Sequence, residues 1–427
     1  MQVESFKTQQ SYTSVNVRAL GVQSYGENND IPQRIMEIVA ASVTGASCLD
    51  TYQKFIIGRG FNDKGFRETA INSRGDTASL LLTQVAQDYA EFGGFAIHVN
   101  WNALGQITAL CHVPFESCRF EALDEDYRFD RIAVHPDWGK RNTKLKRFRQ
   151  SDIEFFHLFN PDLTVIQKES KEAGGWAGYK GQIYYYSNAG DKVYPMPKWA
   201  AALTDMTNEE GLSNITHRNV KHNFLPAGMF IDKNNTANSD EQDEEVKEEL
   251  REFQGDMNAG KIMYVNLHGG DEPPEFKPFD VANTDKDFEK AEAKTPDIIG
   301  RAFCQPPILR AQDVGSNFGA DLMRNAYDFY NSQTETERLV LEETFGMLFS
   351  LWYTPAINPD DDYSIQPKIY RVNQTLAERL GANTDKVLEL LFDKNKSERA
   401  KRVVLDAVYG LDDEDITSLM EGLRDAY

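Results

Sequence analysis

The residue types that could do chemistry are all present in this chain, but their spacing does not bring them together. Glycines 58, 60 and 65 spell GRGFNDKG, which lacks the third glycine of a dinucleotide fingerprint and reads as a turn. There is no GxxxxGK(S/T), HExxH or GxSxG, so the phosphate-loop, zinc-helix and nucleophile-elbow signatures are all missing. His217 and His222 stand five apart on an expected helix, on different faces, whereas helix-borne metal pairs want three or four. Cys111, His112 and Cys118 lie close in a strand-like region, yet adjacent strand residues point to opposite faces, so Cys111 and His112 should not converge. Acidic runs at 240–252 and 412–415 read as solvated faces. WGKRNTKLKRFR at 138–149 carries Lys140, Arg141, Lys144, Lys146, Arg147 and Arg149 with no acid. It is either a solvated loop or a contact with DNA or a scaffold protein. No catalytic residue, cofactor or metal is expected.

The elements that would position such residues are easier to read. Residues 1–24 are polar and suggest an arm. From Asp30, an N-cap-like acid and an early proline open a helix with Ile35, Ile38, Val39, Val43, Ala46 and Leu49 at helical spacing. A second helix runs from Thr77 to Phe92 and is closed by Gly93 and Gly94. The period then shifts towards two: FAIHVNW and ITALCHV flank the turn ALGQ, and RIAVHP, IEFFHLF and GQIYYYSNAGDKVYPMP continue in strand-like fashion. Residues 25–198 therefore read as an α+β domain, helices first and an antiparallel sheet after.

Residues 199–224 return to helix. A compact insert at 225–284 reads as strand MFI, acidic helix DEQDEEVKEELREF and strand KIMYVNL, set between two helices that could run antiparallel. The second of these, 285–305, contains Thr295-Pro296-Asp297, the pattern of a helix start, so Pro296 predicts a kink or restart. Pro306-Pro307 ends it, because neither can donate a backbone N–H. After the loop 306–319, apolar residues recur from Leu322 to Trp352. One helix from Phe318 to Tyr353 would span about 54 Å. A Pro/Asp-rich linker (355–375) leads to short helices over 376–427.

The run IIGRAFCQPPILRAQD resembles the helix, proline pair and loop before the long helix of portal proteins of tailed double-stranded DNA phages. The match extends through YGENNDIPQRIMEIVAASVTGASCLDTYQKFIIGRGF, NITHRNVKHNFLPAGMFI and RAKRVVLDAVYGLDDEDI. No single piece is a strong motif; their order and spacing carry the resemblance.

The resemblance implies the portal fold: an N-terminal arm (1–24), a wing (25–198), a first stem helix (199–224), a small α/β clip (225–284), a second stem helix (285–305), a tunnel loop (306–319), a long wing helix (320–354), a linker (355–375) and a helical crown (376–427). It implies a non-enzymatic homododecamer at one capsid vertex of the virion, assembled in the host bacterial cytoplasm. This ring would be the channel for genome packaging and ejection. Its partners would be copies of itself, the major capsid protein, the terminase large subunit, head-tail adaptors and double-stranded DNA passing without sequence specificity. The loop ILRAQDVGSNFG corresponds by position to the tunnel loop; there Arg310, Gln312, Asp313, Ser316 and Asn317 could touch phosphate without reading bases. Alternatively, Arg310 pairs locally with Asp313. A head-closure or tail-tube component is the competing reading, although such proteins are usually shorter.

Composition sets limits on these readings. With 427 residues, two or more domains are expected. The formal net charge of -21 argues against tight binding to a phosphate backbone, which suits a duplex that must slide. Four scattered cysteines fit neither a disulfide scaffold nor a zinc ribbon and point to a reducing compartment. The sequence MQVESFKTQQSY has no signal-peptide pattern. No window approaches the roughly 18 apolar residues of a membrane span.

Overall fold

The computed structural model describes residues 14, 16–123, 129–138, 150–190, 193–221, 228–231, 275–278, 284–310, 320–354, 362–370, 384–393, 396–407, 416–417 and 419–420. The chain divides into two compact units, Met1–Lys368 and Ile369–Tyr427. The fold class is α+β, as expected.

In the first unit, α1 (Ile31–Ala41) and α2 (Val43–Ile57) replace the single expected helix. The break falls at Ser42, whose backbone is extended and whose hydroxyl caps α2 by accepting from the Gly45 N–H. Glu209 fixes the corner, accepting from the Ser42 hydroxyl and, at 2.6 Å, from Thr44 Oγ1. Val43 is consequently 82% exposed, although its spacing placed it on the apolar face. The short helix α3 (Lys64–Arg67) follows the glycine turn. Helix α4 (Ala78–Phe92) starts on a Thr77 cap and stops at Gly93, whose φ of 79° is the left-handed C-cap conformation.

The expected arm is folded from Asn16 onwards. Strands β1 (Asn16–Val17) and β2 (Val22–Gln23) pair antiparallel, and Gln23 donates to the Glu121 carbonyl at 2.9 Å. Val22 is fully buried beside Trp138. An arm reading from polarity alone missed this, because only one residue in two of a short hairpin needs to be apolar.

The main sheet has six strands: β3 (Gly94–Trp101), β4 (Ile107–Val113), β5 (Cys118–Phe120), β6 (Arg131–Val134), β7 (Glu154–Leu158) and β8 (Gln182–Ser187), in the order β4-β3-β8-β7-β6-β5. It is not wholly antiparallel as expected: β7 and β8 pair parallel. A parallel pair requires a crossover, and α5 (Leu163–Glu172) provides it. Only the first half of the aromatic run at 181–197 is strand. Tyr194 from its second half packs in the core, stacked on Tyr25 at 4.1 Å.

Helices α6 (Leu203–Lys221) and α7 (Thr284–Ala302) bracket a two-stranded ladder of β9 (Gly228–Ile231) and β10 (Glu275–Pro278). The expected long helix is recorded as α8 (Ala320–Gln333) and α9 (Glu335–Ser350). At Thr334 φ is -103° and ψ 6°, yet helical bonds continue across it, Thr334 N to Tyr330 O at 3.1 Å and Arg338 N to Thr334 O at 3.3 Å. Part of the linker is stitched to the first unit: Arg59 N donates to Gln366 O at 2.7 Å, and Ile365 is buried. The second unit contains α10 (Thr384–Phe392) and α11 (Glu398–Ala407). Their core includes Val387, Leu390, Leu391 and Leu405. Among the described residues no helix is long and apolar enough to cross a membrane.

The Cys111, His112, Cys118 region is committed to packing. His112 Nε2 lies 2.7 Å from Asp88 Oδ2, and Phe115 N donates to the same oxygen at 3.1 Å. Nearby Glu91 on α4 has its carboxyl pushed up to about 7, first by burial and then by Asp88 and Glu116. A raised carboxyl pKa gives stability that is complete below the unfolded value of about 4.5 and lost as pH rises through the folded one. Glu91→Gln should therefore raise the melting temperature more at pH 8 than at pH 5. Thermal melts of both proteins at the two pH values check this.

Candidate functional site

The site suggested by the fold is the helix pair α6 and α7 together with the turn that follows α7. The antiparallel course of the pair is fixed at both ends. At the base, Trp199, just before α6, stacks on Phe303, just after α7, with centroids 5.1 Å apart and planes 17° apart. The indole N–H donates to the Ala90 carbonyl at 2.9 Å, tying this base to α4. At the far end the antiparallel ladder pairs Gly228 with Pro278 and Ile231 with Glu275. Residues 232–274, most of the expected clip, lie outside the described residues, including its acidic helix.

Away from the base the pair is thinly covered. Ser213, Asn214, Ile215, Thr216 and His217 are all exposed. Five consecutive residues cover the whole circumference of a helix, so this part of α6 has no buried side. On α7, Glu292, Ala293 and Lys294 are likewise exposed. His222, the other histidine of the expected pair, lies outside the described residues.

Helix α7 continues through Pro296 without stopping. The proline removes one backbone donor, and Thr295 Oγ1 donates to Ala291 O at 2.8 Å in the same turn. A second device braces this point. After α7, Pro307–Arg310 forms a single 3-10 turn, which swings Arg310 back across the helix. Its Nη1 donates to Pro296 O at 2.9 Å and its Nη2 lies 3.3 Å from Asp297 Oδ1. Gly300 makes room: a Cβ there would stand 2.0 Å from Nη1 and 2.6 Å from Nε.

Arg310 was expected on a loop facing phosphate, with Asp313 as the alternative partner. The structure buries it instead: its side chain is 6% exposed and its carboxylate is Asp297. Local sequence favours Asp313, three residues away, but the 3-10 turn aims the side chain backwards. Gln312, Asp313, Ser316 and Asn317 lie outside the described residues, as do Lys140, Arg141, Lys144, Lys146, Arg147 and Arg149. Sequence reasoning missed Gly300 and Asp297 as partners of Arg310; Pro296, a helix-interior proline, was the available signal.

Beside the brace, an open apolar groove of about 630 Å³ lies between the end of α7 and α8. Gln305 lines it and is 4% exposed, and neither its Nε2 nor its Oε1 has a hydrogen-bond partner. Among the described residues no group of three or more His, Cys, Asp or Glu is placed to hold a metal ion.

No protein-family model and no curated protein matches the chain. Among solved structures, the chain is similar to one from the neck of an empty gene transfer agent particle, reconstructed with sixfold symmetry: 14% identity, TM-score 0.46, covering 89% of this chain and 94% of that one. It is also similar to one from the neck of the native particle with twelvefold symmetry, at 16% identity and TM-score 0.42, covering 88% and 93%. A third is an HK97-family phage portal protein from Corynebacterium diphtheriae, at 12% identity and TM-score 0.38, covering 70% and 85%.

The brace makes a direct claim on stability. Arg310→Ala deletes two charge-assisted contacts at a buried site, so unfolding free energy should fall by about 1–3 kcal/mol. Gly300→Ala should act in the same direction by displacing the guanidinium. In the double variant the losses should sum to less than the two singles, because both remove one interaction. Denaturant unfolding of the four proteins checks this.

Proposed function

We propose that this chain is a portal-type protein of a tailed double-stranded DNA phage or a related particle. In this reading it is a non-enzymatic ring subunit whose α6 and α7 form the stem, with β9, β10 and the residues between them as the clip. The observation that carries the proposal is the helix pair. It leaves the body from a rigid aromatic base, encloses an insert, and exposes more of its circumference than one chain can cover. Helix turns left uncovered in one copy, such as 213–217, are stabilised by neighbours, and closed cyclic symmetry is how head-to-tail contacts terminate.

The order of the sequence segments supports the same reading, with twelve copies as the number the resemblance implies. The charge supports it too. A wall built from a chain of net charge -21 repels phosphate, so a duplex passing through meets few deep binding minima. The ring would sit at one capsid vertex among major capsid subunits. The clip would dock the terminase large subunit during packaging and head-tail adaptors afterwards. The tunnel-loop role then falls to Gln312, Asp313, Ser316 and Asn317 rather than to Arg310, and the basic run 138–149 remains a candidate contact for DNA or scaffold.

Two experiments test the proposal. Negative-stain images of the purified chain should show rings with a central hole, and light scattering should give a mass many times 48.5 kDa. A monomer at every concentration and salt would overturn it. Replacing residues 240–253 by a short Gly/Ser linker should leave the ring intact and weaken capture of the cognate terminase large subunit in a pull-down. Undiminished capture would move the docking site elsewhere.

A further inference from the structure

Strands β7 and β8 pair over only two residues, His157 with Gln182 and Leu158 with Ile183. Before that point they diverge, so Glu154 to Phe156 are paired with β6 alone and a crevice opens between β7 and the chain entering β8. It holds about 480 Å³, and α5, the crossover helix, forms its third wall. Phe156 and His157 line it from β7, Glu169 and Glu172 from α5, and Tyr179 and Lys180 from the segment before β8.

Glu169 is the deepest polar group of this crevice, only 8% exposed. One of its oxygens is saturated: Oε2 accepts from the Tyr179 hydroxyl at 2.9 Å and from Gln182 Nε2 at 2.8 Å. Gln182 cannot turn away, because its own Oε1 accepts from Trp101 Nε1 at 3.1 Å and from Asn160 N at 2.9 Å. The other carboxylate oxygen has no hydrogen bond. His157 Nδ1 stands 3.8 Å from it, beyond hydrogen-bond range, and unlike the Gln305 amide this oxygen is not sealed inside the protein. Both groups that donate to the carboxylate are neutral, so its charge is held in place without being compensated. A buried charge is costly unless it is paired.

The chain's own cations around the crevice are engaged with other acids. Arg131 donates to both oxygens of Glu121 and lies over the Phe155 ring. Lys180 reaches Glu154 at 3.4 Å, and Lys168 reaches Glu172 at 3.8 Å. Glu172, three residues after Glu169, adds a second carboxylate on the same helix face. Among the described residues no group of three or more His, Cys, Asp or Glu is placed to hold a metal ion, so the missing partner is a nitrogen cation. Phe156 and Tyr179 offer apolar wall to the carbon stem of such a group.

We infer that the crevice between β7 and β8 binds an organic cation, an ammonium or guanidinium group on an apolar stem. An N–H of the ligand donates to the free oxygen of Glu169, Glu172 adds charge at the rim, and Phe156 and Tyr179 cover the stem. Calorimetric titration of the full-length chain with agmatine, which carries both kinds of cation, should show a single saturable site. Glu169→Gln should weaken it about tenfold or more, the loss of one charge-assisted hydrogen bond. Asp50→Asn, which removes an exposed acid elsewhere, should leave it unchanged. Glu172→Lys, a change at an exposed position, places a cation at the rim and should abolish binding, and it reports even where Glu169→Gln lowers the melting temperature. A capped Gly-Arg-Gly peptide separates the sources: binding as tight as that of agmatine assigns the crevice to a basic side chain of a partner protein, and binding of agmatine alone assigns it to a free cation. Absence of saturable binding, undiminished affinity in Glu169→Gln, or equal losses in Glu169→Gln and Asp50→Asn, the mark of general attraction to an acidic chain, would overturn the inference.

Discussion

The first unit depends on burying one helix among elements from every part of the sequence. Along α9, Leu341, Phe345 and Leu348 are fully buried, and two charges are buried at its start. Glu337 accepts from the Tyr52 hydroxyl at 2.8 Å and pairs with Lys198. Arg338 donates to Phe55 O, Thr334 Oγ1 and Asn331 O. Breaking such a buried charge set costs more than the set contributes to stability, because the charge left behind has no water. The helix is therefore locked in register against α2 and against the segment leading into α6.

Everything that positions the candidate site is referred to that lock. Phe61 and Phe66 pack on Phe345 and Phe349, which fixes the turn after α2. Tyr184 on β8 meets Thr344, and Ile365 N donates to Glu342 at 2.6 Å, so the sheet and the linker join the same helix. At the head of the rod, Tyr327 and Tyr330 of α8 pack on Phe55, which brings α8 to the end of α7. The groove, the Arg310 brace and the Trp199–Phe303 base are thus neighbours, although their residues span more than a hundred positions.

The same core leaves one part of the molecule unsupported. The α6 and α7 pair is held firmly at its aromatic base and by a backbone ladder further out, with exposed helix between. A rigid foot with uncovered helices suits a subunit completed by its neighbours. Within the described residues Asp88, His112, Gln182 and Oε2 of Glu169 are taken up by internal hydrogen bonds, and the buried Gln305 amide, like the Tyr185 and Tyr330 hydroxyls, has no hydrogen-bond partner.

The sequence by itself determined what depends on local pattern. Helices α4, α6 and α7, the turn at 103–106, the α+β class and the antiparallel prospect of the two helices around an insert were all legible, because periodicity, caps and prolines act within a few residues. The tertiary structure decided what depends on distant partners. Ser42 splits the first helix because Glu209 is there to receive its hydroxyl, and β7 runs parallel to β8 because α5 crosses over. Arg310 turns away from its loop because Gly300, ten residues back, leaves the space through which it reaches Pro296 and Asp297. None of these partners lies within the window over which a sequence pattern repeats, so only the folded chain could bring them together.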